Sequence, residues 1–164
     1  MNCSGGLPGP ISADLAPLDA VHATWQAHLG QNLLGAVLTT TALRPALAAG
    51  AAVISIGSIG AERRGGAYGA AKAALAAWNA DLSAELGPLG ITANVIAPGY
   101  IEDTAFFQGT LPPERRAALI AETHDKRPGT PGEVARTIHF LASPGARHLT
   151  GQTIHLNGGA HTTR

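Results

Sequence analysis

Tyr68 and Lys72 stand four residues apart in the segment Gly66-Ala67-Tyr68-Gly69-Ala70-Ala71-Lys72, and Ser58 lies ten residues upstream at the end of an apolar run. On a helix, positions i and i+4 share one face, so the phenol and the ammonium meet there. With the Ser58 hydroxyl, three polar groups are then available to a single carbonyl oxygen. A free tyrosine ionises near pH 10, so passing a proton at neutral pH requires a downward shift of roughly 3 units, about 4 kcal/mol. A nearby ammonium supplies part of that shift. Ser58 would donate a hydrogen bond to an oxygen on which charge develops. The bland alternative is an exposed Lys72 and a Tyr68 that only packs.

The elements that must hold these residues alternate between two periods. Leu18 to Leu47 carries Val21, Trp25, Leu29, Leu33 and Val37 at helical spacing, with Pro45 able to end or kink it. Ala51 to Ile56 reads as a short buried strand of the kind found in parallel sheets. Ala67 to Leu86 predicts a helix stopped by Gly87-Pro88, and Ile91 to Ala97 a second strand stopped by Pro98-Gly99. A loop with scattered aromatics spans Tyr100 to Gly109. Helices are expected over 113–123 and 131–142, and a last strand over 152–156. Strands separated by helices argue for a parallel α/β sheet.

At 164 residues the chain is one domain by length. Eleven basic residues match eleven acidic ones, which gives no nucleic-acid surface and no patch for an anionic membrane. With only 13% charged residues, little charge keeps copies apart, and an oligomer is expected. The single cysteine, Cys3, excludes an internal disulfide. The N-terminus has no basic region followed by an apolar stretch, and the uncharged run Pro45–Ala61 is broken by glycines and too short to span a bilayer. A cytoplasmic protein is expected. The seven histidines are dispersed without ligand spacing, so no catalytic metal is expected.

The ordered context of the Tyr68/Lys72 pair resembles the short-chain dehydrogenase/reductase family, of the classical type that includes 3-oxoacyl-carrier-protein reductases. Asn2-Cys3-Ser4-Gly5 is similar to the family's Asn-Asn-Ala-Gly turn, and Trp25 followed by Asn32 to its asparagine helix. Ile56-Gly57-Ser58-Ile59-Gly60 resembles the serine segment, and Ile91 to Gly99 the strand and Pro-Gly turn beside the nicotinamide. Arg127 to Ala135 and Thr150 to Gly159 resemble the closing motifs. The resemblance implies an α/β fold, the C-terminal portion of a Rossmann-type doubly wound parallel sheet. It implies an NAD(P)-dependent oxidoreductase acting on a small carbonyl or alcohol. Tyr68 would be the acid/base, Lys72 would lower the phenol pKa and grip the nicotinamide ribose, Ser58 would polarise the carbonyl, and Asn32 would hold a water between Lys72 and solvent. Asn2, Tyr68, Lys72, Pro98, Gly99, Ile101 and Thr104 would contact NAD or NADP. The helices over 18–47 and 67–86 would make a homo-oligomer interface, Trp78 and Leu82 lying either there or in the core.

There are departures. Asp103 stands near the family's usual threonine and Thr104 follows it, Gly57 replaces a serine, and Asn157 replaces a frequent aspartate. The larger one is at the front. A dinucleotide fold opens with a strand, a glycine-rich turn and a helix that receives the pyrophosphate. Neither Gly5-Gly6 nor Gly65-Gly66 fits that turn, so the expectation is a single incomplete domain over 1–164 that begins near the end of the fourth strand, with an open edge on the strand after Gly50. Three readings follow: an NAD(P)-dependent reductase whose start lies upstream of Met1, a cofactor-independent enzyme of proton transfer, dehydration or cyclisation, or a non-catalytic oligomerisation partner of a full-length relative. Tyr100, Phe106, Phe107 and Leu111 fall where the family has a mobile lid. They suggest a partly apolar substrate, or equally a loop anchored to the core.

Overall fold

Three parallel strands lie side by side in the order β1 (Ala52–Ile56), β2 (Thr92–Pro98), β3 (Thr153–Leu156). The structure, a computed structural model, describes the chain apart from Ser4, Ile11, Leu15, Arg64, Gln108 and Arg164. Ser4 of the Asn2–Gly5 turn and Gln108 of the aromatic loop therefore lie outside the described residues. Between the strands run α3 (Gly66–Leu86), which joins β1 to β2, and α4 (Pro113–Glu122) and α5 (Pro131–Leu141), which join β2 to β3. Ahead of β1 come α1 (Pro17–Leu29) and α2 (Gly35–Leu43). The register puts Ile54 of β1 beside Asn94, and Ile96 of β2 beside Ile154.

Both faces of the sheet are covered, because successive side chains on a strand point to opposite sides. Val53 packs with Leu82, Leu86, Ile91 and Ala93, and Trp78 rests against this group. Ile54 packs on the other side with Ile96, Leu141 and Ala146. Of the two positions suggested for Trp78 and Leu82, the structure selects the core. The α5 helix starts where its sequence says it should. Thr130 accepts from the Glu133 amide at 3.3 Å, Glu133 accepts from the Thr130 amide at 2.8 Å, and Pro131 occupies the first turn. Arg127 holds the Glu133 carboxylate at 2.7 and 3.1 Å. That pairing, followed by the Thr130 amide, lowers the Glu133 pKa to about 2.

One expectation needs correction. The helix read over 18–47 ends at Leu43; a 3-10 turn over Arg44–Ala46 carries Pro45, and Leu47 is extended. Its middle, Gly30–Leu34, is one turn of wider π-helix. The stripe Val21/Trp25 lies away from the core. No residue of α1 is buried, and Leu18, Val21 and Leu38 are 83%, 56% and 66% exposed. Periodicity located the helix and could not tell which surface the stripe covers. On the outer side of β1, Asn2 makes a parallel bridge to Ser55, its amide donating to Ile54 O at 2.8 Å and its carbonyl accepting from Ile56 N at 3.0 Å. No helix among the described residues is long and apolar enough to cross a membrane.

Leu141 is 1% exposed at the centre of the α5-side cluster. Leu141→Ala is expected to destabilise the chain by about 2–5 kcal/mol. Urea unfolding followed by circular dichroism measures this, and a loss below about 1 kcal/mol would contradict the packing described.

Candidate active site

The site starts at the C-terminal end of β1. Beyond Ile56 the chain turns, and Ser58, in an extended conformation, accepts a hydrogen bond from the Gly60 amide at 3.0 Å at the head of a short turn, Ile59–Ala61. Helix α3 packs directly on that turn. A Cβ placed on Gly69 would stand 2.4 Å from the Gly60 carbonyl oxygen, so only glycine allows this approach. The contact brings the Tyr68 ring beside Ser58: a Cβ on Gly60 would lie 3.2 Å from the Ser58 hydroxyl and 3.4 Å from the Tyr68 ring.

One turn further along α3, Lys72 is only 3% exposed. Its ammonium donates to the Ile56 carbonyl at 2.8 Å and lies 5.9 Å from the centre of the Tyr68 ring. This rules against the bland alternative, which required an exposed lysine. The electrostatics differ from the simple sequence expectation. Burial raises the Tyr68 pKa above its ordinary value, and the nearby Ser58 hydroxyl only partly opposes that rise. Burial also lowers the Lys72 pKa to about 8, against a smaller upward pull from Cys3. The amine is directed at a strand carbonyl, so the Lys72 charge alone does not bring the phenol down.

Asn32 sits inside the π turn and is 1% exposed. Its side-chain oxygen accepts from the Gly6 amide at 2.8 Å, and its side-chain nitrogen donates to the Gly6 carbonyl at 3.0 Å. Gly5 passes between two of the predicted residues. A Cβ there would be 2.8 Å from both the Asn32 oxygen and the Lys72 nitrogen, and its φ of +145° is strained for any other residue. Asn32 and Lys72 are thus drawn together around one glycine.

The other predicted residues divide. Pro98, Gly99, Ile101 and Thr104 line the same cavity as Ser58, Tyr68 and Lys72. Ile101 is fixed by a bridge to Gly129, and the Thr104 hydroxyl donates to Ile101 O at 3.2 Å. Asn2 stands apart from that lining, its side-chain amide donating to Thr40 at 2.9 Å and Ser55 at 3.2 Å. It ties the N-terminal segment to β1 and α2.

The cavity encloses about 1280 Å³. Its interior is mainly apolar, with Ile59, Phe106, Phe107 and Leu119 on the walls, and Arg63, Arg115 and Glu122 also line it. Arg63 pairs with Glu122 at 2.6 Å, joining the segment before α3 to the end of α4. The aromatic loop folds back on the site: Phe106 meets the Tyr68 ring edge-on at 5.5 Å, and Phe107 packs on Phe106 at 4.9 Å. Two contributors escaped sequence reasoning, namely Gly69 and His28, whose ring lies 6.2 Å from that of Tyr68. The Gly65-Gly66-x-x-Gly69 spacing was a signal for the first, and nothing local marks the second. No group of three His, Cys, Asp or Glu that could hold a metal occurs among the described residues.

A parallel sheet covered on both faces, with Ser, Tyr and Lys converging at the ends of its strands, defines a dehydrogenase-type α/β protein. The family model described as enoyl-(acyl carrier protein) reductase matches residues 3–161. The protein FixR of Bradyrhizobium diazoefficiens is 36% identical over 98% of this chain and 58% of its own length. The 3-oxoacyl-[acyl-carrier-protein] reductase FabG of Escherichia coli is 40% identical over 66% of this chain and 45% of its own. A short-chain dehydrogenase from Burkholderia cenocepacia, solved in complex with NADP, superposes with a TM-score of 0.77 at 29% identity, covering 97% of this chain and 63% of that one. The chain belongs to the short-chain dehydrogenase/reductase family, and it spans about half the length of these two curated relatives.

The chain has only two lysines, Lys72 and Lys126. With 13C-labelled lysine, the NMR signal that survives Lys126→Arg should titrate near pH 8. Below that pH the buried charge opposes folding. The penalty fades as pH rises from about 8 toward the unfolded value of about 10.4. A Lys72 midpoint near 10.4 would show that the amine is not desolvated.

Proposed function

We propose that residues 1–164 form the catalytic part of an NAD(P)-dependent oxidoreductase that interconverts a small carbonyl compound and its alcohol. The observation that carries this reading is the buried Lys72 sharing a mainly apolar cavity with Tyr68 and Ser58. Ser58 donates to the carbonyl oxygen and orients it. Tyr68 gives that oxygen a proton during reduction and takes it back in the reverse direction. The raised phenol pKa keeps that proton in place until a substrate oxygen arrives. Lys72 spends one N–H on Ile56 and has two more for a ribose hydroxyl and a water. Asn32 fixes the backbone strap that closes over Lys72.

NAD or NADP, when bound, supplies or accepts the hydride. The residues fit its nicotinamide end: Lys72, Pro98, Gly99, Ile101 and Thr104 line the cavity that Tyr68 and Ser58 also reach. The apolar walls suit a partly apolar substrate. In this reading the chain is one Rossmann-type unit of a cytoplasmic protein, and the exposed side chains Leu18, Val21 and Leu38 of α1 and α2 pack against a second copy. The raised phenol pKa also favours a second reading, an acid in a proton-transfer reaction that uses no dinucleotide.

Tyr68→Phe should lower turnover of carbonyl substrates with NADPH or NADH by about 10²-fold or more while leaving the melting temperature within a few degrees of the parent. Undiminished turnover rejects Tyr68 as the acid. Calorimetric titration with NADPH and NADH separates the two readings: binding supports the redox enzyme, and product formed without either nucleotide supports the second.

A further inference from the structure

We infer that His28 is a positioning residue for Tyr68, its imidazole and the Phe106 ring holding the phenol between them so that it stays beside Ser58. The inference rests on the proposed role of Tyr68 and adds a residue that motif matching does not mark.

His28 and Asn32 are four residues apart on one helical run, and Tyr68 and Lys72 are four apart on another. Each pair therefore shares a face, and the two faces meet in two rungs. Asn32 and Lys72 form the first rung, around Gly5. His28 and Tyr68 form the second, with ring centres 6.2 Å apart and planes at 66°. On the loop side Phe106 meets the same phenol at 5.5 Å and 64°. Edge-to-face pairs are favoured by the ring quadrupoles and resist rotation of the ring between them.

The chemistry of His28 points the same way. Its Nδ1 is buried with no hydrogen-bond partner among the described residues. A buried nitrogen without a partner costs free energy, so this atom gives no reason for histidine here. The flat ring edge does, because a leucine or valine has no edge to set against the phenol. His28 does not line the cavity, so it acts on substrate only through Tyr68.

The test uses tyrosine labelled with 13C in the ring. The chain has two tyrosines, Tyr68 and Tyr100, and Tyr100 reports on general loosening. His28→Ala should speed Tyr68 ring flips about two- to tenfold and leave Tyr100 unchanged. His28→Phe should keep the parent rate, and His28→Gln, polar but without a ring, should behave like alanine. Where turnover is measurable, kcat should fall with the faster flips while KM holds. Parent-like flips in His28→Gln with fast flips in His28→Phe would assign a hydrogen-bonding role and overturn the inference. An unchanged Tyr68 in all three variants would also overturn it. If His28→Ala fails to fold, the Phe and Gln comparison decides. Ring flips require neither cofactor nor substrate, so failure of the redox reading and failure of this one are separable.

Discussion

A lysine ammonium buried at the end of a parallel strand is the constraint on which the site depends. Removing an ammonium from water costs several kcal/mol unless it is paired. Lys72 has the Ile56 carbonyl as its direct partner and a backbone strap laid across it. The arrangement needs β1 to end where it does, α3 to approach without a side chain at Gly69, and Gly5 to have no Cβ. Each is a steric condition set by one residue. The ammonium stays near the phenol because three elements leave it nowhere else to go.

The same burial sets the reactivity of the site. It pushes the phenol up and the amine down, the opposite of what a reactive tyrosine needs. The protein alone thus holds Tyr68 as a protonated phenol.

The surroundings divide into a rigid and a loosely held side. Both core clusters and the β1–β2 pairing lie behind Ser58, Tyr68 and Lys72. In front, α4 buries no residue and is tied to the segment before α3 by the Arg63–Glu122 pair. Exposed ion pairs of that kind contribute little stability. The aromatic loop is pinned at its start by the Ile101–Gly129 bridge, and beyond it Phe106 and Phe107 make ring contacts to Tyr68 and to each other. Segments with few buried contacts are those that open most readily.

The sequence by itself determined the element order, the parallel α/β class and the pairing of Tyr68 with Lys72. Hydrophobic period, proline and glycine stops and the i, i+4 rule are local, and local rules suffice for them. Ser58 was legible from its spacing and Asn32 through the ordered motifs of the family resemblance. The tertiary structure alone decided that the Val21/Trp25 stripe faces outward, that the Asn2 side chain anchors a strand, and that Gly69 and His28 stand at the site. It also decided the direction of the phenol pKa. Those outcomes depend on what lies across a gap of a few ångströms from residues far away in the chain, and neither periodicity nor spacing carries that distance.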